Sequence, residues 1–265
     1  MKTEQVIDYI VTWLKDYCGT SGMKGFVVGI SGGIDSAVTS ALCARTGLPV
    51  QVLNMPIFQD TRQLSMADRQ CAWLTRHFEN VTVSTVDLSP VFTSFKKTLP
   101  PDIGDDLTLA NTRSRLRMVT LYAYATHHRM LVTGTGNKVE DFGVGFFTKY
   151  GDGGVDISPI ADLKKTEVYG LGKHLGINEG ILSAPPTDGL WMDNRSDEDQ
   201  IGATYEELEW AMDAEERGIQ EPGLNGLSGS SPRQQEVLAI YRQFNRANRH
   251  KMVPVPVCTI PDDLR

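Results

Sequence analysis

Eight consecutive residues, Gly29-Ile30-Ser31-Gly32-Gly33-Ile34-Asp35-Ser36, hold the clearest chemistry in the chain. Adjacent glycines let the backbone curl so that successive N–H groups point inward, and a helix that opens directly after them adds its positive end. The product is a nest for phosphate oxygens, to which Ser31 and Ser36 add hydroxyl donors. No Gly-Lys-Ser/Thr follows, which excludes the loop in which a lysine reaches the terminal phosphates. The plainer alternative is a tight strand-to-helix turn in which Asp35 offsets the helix dipole. Both serines, the aspartate and the β-rich run before them favour phosphate.

A second group of polar residues lies about a hundred positions on. Gly134-Thr135-Gly136-Asn137-Lys138-Val139-Glu140 is followed closely by Gly145-Phe146-Phe147-Thr148-Lys149-Tyr150-Gly151-Asp152-Gly153-Gly154. Taken alone, Glu140 reads as a solvated carboxylate, Phe146 and Phe147 as loop packing, and His127 and His128 as surface or capping residues. Arg113, Arg115 and Arg117 concentrate positive charge, but their spacing spreads them over different helix faces. One of them is expected to reach an anionic ligand and the other two to be surface charges.

These residues need a scaffold, and apolar periodicity outlines one. Residues 3–18 carry Val6, Ile7, Ile10, Trp13, Leu14 and Tyr17 at helical spacing. Phe26 to Ile30, Val50 to Asn54, Val81 to Val86 and Met130 to Thr133 read as strands. Between and beyond them, 36–45, 62–78, 115–126, 163–175, 204–217 and 232–249 read as helices. Alternating strands and helices predict an α/β fold, a parallel sheet covered on both faces. In such a sheet the loops at the carboxyl ends of the strands converge, which would bring the two polar groups together. Residues 134–156 are expected to be irregular, and 218–231 a Gly/Ser/Pro-rich turn region.

Composition narrows the partners. The net charge of −7 argues against a protein built to hold nucleic acid, and favours small-molecule substrates. The apolar runs fall far short of a membrane span and the first residues lack a signal-peptide pattern, so a single cytoplasmic domain over 1–265 is expected. Cys18, Cys43, Cys71 and Cys258 form no Cys-x-x-Cys pair and read as reduced thiols.

The Ser-Gly-Gly-x-Asp-Ser loop resembles that of enzymes that split ATP between its α and β phosphorus atoms. The wider pattern closely resembles the NAD synthetase family: Asn111-Thr112-Arg113-Ser114-Arg115, the Gly-Thr-Gly-Asn and Phe-Phe-Thr-Lys-Tyr-Gly-Asp-Gly-Gly segments, Ser183 to Thr187, and His250-Lys251. The resemblance implies a doubly wound open parallel sheet with flanking helices, of the adenine nucleotide alpha hydrolase-like kind. It implies ATP contacts at Gly29 through Ser36 and at Thr135, Lys165 and Thr187. Mg2+ would sit on Asp35 and Glu140, and deamido-NAD on Arg115, Lys149, Asp156, His250 and Lys251. Asp35 and Lys165 would carry the catalysis, although Lys164 stands beside Lys165 and leaves a choice of register. A homodimer is implied as well.

By that resemblance the nicotinate carboxylate is adenylated by ATP and then amidated to give NAD, AMP and pyrophosphate. Glutamine-dependent members add an amidohydrolase domain, for which 265 residues leave no room, so free ammonia is the expected donor unless a separate glutaminase subunit supplies it. Two departures stand out: one residue more than the commonest spacing between Glu140 and Lys149, and Ile34 in place of a frequent glutamine. The rivals are a tRNA-thiolating or lysine-attaching enzyme with the same loop, and a nucleotide sensor without turnover. The first lacks its catalytic cysteines or basic additions here. Retention of Asp35 and Glu140 speaks against the second.

Overall fold

The computed structural model describes residues 1–59, 61–187, 196–217 and 230–265, and only the backbone of 61–63. The helices are α1 (Thr3–Thr20), α2 (Ile34–Arg45), α3 (Thr61–His77), α4 (Ser89–Thr98), α5 (Asp106–His128), α6 (Lys165–Leu175), α7 (Glu179–Leu182), α8 (Asp197–Ile201), α9 (Tyr205–Glu216) and α10 (Pro232–Met252). The strands are β1 (Phe26–Ile30), β2 (Val50–Asn54), β3 (Val81–Thr85) and β4 (Leu131–Val132). They form a parallel sheet in the order β3-β2-β1-β4. The expected turn region lies, over 218–229, outside the described residues.

Alternation along the strands explains the two covered faces. Phe26, Val28 and Ile30 of β1 and Val50 and Val52 of β2 pack with α1, α2, α3 and α6. Val27 and Leu53 turn to the other face, where Phe92 of α4 and Leu109 and Ala125 of α5 close over them. The chain steps from β1 to β2 and β3 on one side and returns to β4 on the other, so the switch of strand order falls between β1 and β4. Their carboxyl ends carry the phosphate loop and the 134–140 segment, and a crevice opens there.

A third apolar cluster stands apart from the sheet. Leu208, Ala211 and Met212 of α9 and Val237, Leu238 and Tyr241 of α10 enclose Val139 and Val144. Those two valines bound a π-helix, Val139–Val144, inside the stretch expected to be irregular. Such single-turn π segments are rare and occur frequently at functional sites. Asn245 Nδ2 donates to Gly143 O (2.7 Å) and Asn248 Nδ2 to Val144 O (2.9 Å), tying the turn to α10.

Gly145 then reverses the chain at φ +65°, and a Cβ there would lie 2.4 Å from Asn248 Cβ. Gly145→Ala combines left-handed strain with overpacking and is expected to lower stability by roughly 2–4 kcal/mol. Urea unfolding checks this, and an unchanged midpoint would show that the turn yields freely.

Candidate active site

The phosphate loop is held by its own hydroxyls. Gly32 takes φ +88°, Gly33 N donates to Ser31 Oγ (3.2 Å), Ser31 N to Ser36 Oγ (3.2 Å), and Ser36 Oγ to Gly33 O (3.0 Å). Asp35 follows in the first turn of α2. Every residue from Gly29 to Ser36 lines one cavity of about 400 Å³, and so do Thr135, Glu140, Lys165 and Thr187.

Lys165 sits at the middle of the charged groups. It opens α6 and is only 3% exposed. Its Nζ lies 2.5 Å from Asp35 Oδ2 and 3.0 Å from Glu140 Oε1, and 4.7 Å above the Tyr205 ring. Burial works against the ammonium charge, but the two carboxylates outweigh it, so the lysine's pKa is raised and it stays protonated. Burial pushes the Asp35 carboxyl up, opposed by Lys165. Fully buried Asn137 ties the Asp35 carboxylate to the backbone that carries Glu140: its Nδ2 donates to Asp35 Oδ1 (3.3 Å), and its Oδ1 accepts from Val139 N and Glu140 N (both 3.1 Å). Lys164 turns the other way, to Asp213 Oδ1 on α9 (2.5 Å).

Two carboxylates around one ammonium leave a net negative charge and hard oxygens on the cavity wall. Among the described residues no group of three or more His, Cys, Asp or Glu is placed to hold a metal unaided. This donor set fits Mg2+, which takes one or two carboxylates and completes its shell with water and substrate phosphates.

The residues expected to meet the dinucleotide fall outside the cavity lining. Four gather on one adjoining surface: Arg115 Nε donates to Lys149 O (3.3 Å), Lys149 Nζ to His250 O (2.6 Å), and Lys251 Nζ to Phe147 O (2.7 Å). Asp156 stands apart, accepting from Val132 N (2.8 Å) and Tyr122 OH (3.0 Å).

The arginines differ from expectation. Arg115 is the exposed one, whereas Arg113 and Arg117, one helical turn apart, face inward. Arg113 lies 4.8 Å from the Phe92 ring. Arg117 lines the cavity and donates to Met55 O (3.0 Å) and Gln59 Oε1 (3.3 Å). Their (i, i+4) spacing was the available signal. Gln59, Asp152 and Asp197 also line the cavity; Gln59 and Asp197 lie outside both motifs, whereas Asp152 stands within the second and is given no role by the sequence reading.

Fold and site together define an α/β nucleotide-binding chain whose phosphate loop adjoins a lysine-bridged carboxylate pair. Residues 6–254 match the NAD synthase family, and the chain belongs to it. It is 34% identical to the NH(3)-dependent NAD(+) synthetase of Mannheimia succiniciproducens over 99% of both chains. Among solved structures, it resembles NMN synthetase from Francisella tularensis (31% identity, TM-score 0.81, 99% of both chains). It also resembles the NH3-dependent NAD synthetase of Campylobacter jejuni (25% identity, TM-score 0.78, 98% of this chain and 100% of that one).

Proposed function

We propose that this chain is an ammonia-dependent NAD synthetase that activates the nicotinate carboxylate of deamido-NAD with ATP. The observation that carries this is the Lys165-bridged Asp35–Glu140 pair beside the phosphate loop in a chain of this family. A carboxylate resists ammonia because its leaving group would be oxide. Attack of a carboxylate oxygen on the α-phosphorus expels pyrophosphate and forms an acyl-adenylate. The ammonia nitrogen then bonds to the carbonyl carbon, the C–O bond to AMP breaks, and a proton leaves the nitrogen.

The loop from Ser31 to Ser36 holds the departing pyrophosphate, and Lys165 balances the charge that grows on it. Asp35 and Glu140 would hold Mg2+, which when bound would supply further charge neutralisation at the phosphates. Thr135, Thr187 and Arg117 complete the ATP side, and Arg115, Lys149, Asp156, His250 and Lys251 the dinucleotide side. That these last side chains lie beyond the cavity supports a site completed by a second copy, hence a homodimer. The family match over 6–254 supports one synthetase domain across 1–265. Among the described residues no helix is long and apolar enough to cross a membrane. The four cysteines are free thiols, which fits the reducing cytoplasm.

The thiols also bear on the nitrogen donor. Glutamine hydrolysis needs a reactive thiolate, but Cys18, Cys43 and Cys71 are buried. Burial pushes Cys43 up to about 12 and Cys71 to about 11. Purified protein with ATP, Mg2+ and deamido-NAD is expected to form NAD from ammonium and not from ammonia-free glutamine. Equal rates with glutamine would overturn the ammonia-dependent reading.

The Francisella relative favours a second reading, amidation of the nicotinate mononucleotide. The carboxylate chemistry is the same for both substrates. A higher kcat/KM for the mononucleotide in that assay would make it the substrate.

A further inference from the structure

Glu140 has a partner that neither sequence motif contains. Tyr205 is the first residue of α9, and the start of that helix is fixed from several sides. Thr204 N donates to Glu207 Oε2 (3.0 Å) and Glu207 N to Thr204 Oγ1 (3.3 Å) in a capping box. Arg233 of α10 holds both Glu207 oxygens at 2.7 Å. Tyr205 N itself donates to Glu198 Oε1 (2.9 Å). The ring is 3% exposed and packs in the apolar cluster that encloses the π-helix.

From this fixed base the phenol reaches Glu140 Oε1 at 2.5 Å, with Asp197 Oδ2 a more distant acceptor at 3.3 Å. A phenol has one proton to give, and the shorter contact directs it to Glu140. Oε1 then carries both that hydrogen bond and the Lys165 ammonium. Oε2 is left as the oxygen with no donor among the described residues. A carboxylate whose one oxygen is pinned in this way cannot rotate freely, and a metal ligand held by an outer partner binds more tightly.

We propose that Tyr205 is the positioning residue of the metal site: its hydroxyl fixes Glu140 through Oε1 and leaves Oε2 for the cation. The inference rests on Glu140 being a Mg2+ ligand, so the test carries an arm for each. Tyr205→Phe keeps the ring, its packing and the lysine above it, and deletes only the hydroxyl. Mn2+ binding is followed by electron paramagnetic resonance with α,β-methylene-ATP present. Mg2+ activation of NAD synthesis is measured alongside.

Tyr205→Phe is expected to weaken Mn2+ binding by roughly tenfold. The Mg2+ activation constant should rise similarly while kcat at saturating Mg2+ stays within about twofold, a split that a general loss of structure would not give. Unchanged Mn2+ affinity in Tyr205→Phe, with weakened binding in Glu140→Gln, would overturn the role of Tyr205 alone. Unchanged affinity in both would overturn the metal reading and this inference with it. A kcat loss that saturating Mg2+ does not repair would also overturn it.

Discussion

Asp35→Asn and Glu140→Gln are each expected to fold and to lose Mg2+-dependent NAD formation by roughly 10²- to 10³-fold. Each change removes one anionic oxygen donor and keeps the side chain's shape. The remaining carboxylate still pairs with Lys165, at 3.0 Å from Glu140 or 2.5 Å from Asp35, so the buried ammonium is not stranded. Circular dichroism and kcat/KM measured across a Mg2+ titration check both halves of the expectation. Near-normal turnover of both variants at ordinary Mg2+ would remove the metal assignment. An unfolded variant would instead assign the carboxylate to stability.

Lys165→Met should have the largest effect on stability, with a loss of rate of the same order. The lysine side chain is 4% exposed and each carboxylate 16%, so water cannot replace the lost cation fully. Removing one partner of a buried ionic group costs about 3–5 kcal/mol because the others remain charged and uncompensated. Turnover should fall by roughly 10²- to 10³-fold, since the charge proposed to balance the departing pyrophosphate is lost. The two effects separate with added Mg2+ in the absence of nucleotide. The cation should raise the melting temperature of Lys165→Met more than that of the parent, because it offsets two bare carboxylates. An equal shift in both proteins would mean that Asp35 and Glu140 do not share a cation site.

Much of the sheet was legible because its signals are local. Phe26 to Ile30 and Val50 to Asn54 are apolar runs bounded by glycine, proline or turn residues, and both strands have the expected limits. Helix α5 begins at Asp106 instead of 115 because Asp105 caps it, accepting from Thr108 N at 3.0 Å. That short polar signal precedes the periodic stretch and lies outside its pattern. Helix α4 escaped notice because Pro90 and a run of Ser and Thr obscure its apolar spacing. The phosphate loop was legible for a different reason: its glycines and hydroxyls contact one another within a few residues.

The contacts of Glu140 were not legible, because they join distant parts of the chain. Lys165 is 25 positions away and Tyr205 is 65. No local periodicity encodes such pairs. The π turn has no local signal either, since Val139 and Val144 at its two ends are held by packing against α9 and α10.

The carboxylates of Asp35 and Glu140 stand on different foundations. Asp35 rides on α2, which is buried against the sheet, whereas Glu140 rides on a turn cemented into the α9–α10 cluster. Lys165 is the strut between them. Any slackening of the helical cluster would therefore widen the gap between the carboxylates before the sheet itself melted. Metal-bound nucleotide, if both carboxylates held it, would act as a mortar between the two blocks and raise the melting temperature by an amount that grows with the logarithm of its free concentration. In a thermal scan, loss of Mn2+ signal should run ahead of loss of far-ultraviolet ellipticity, making the ion a gauge of how firmly one half of the molecule is seated on the other.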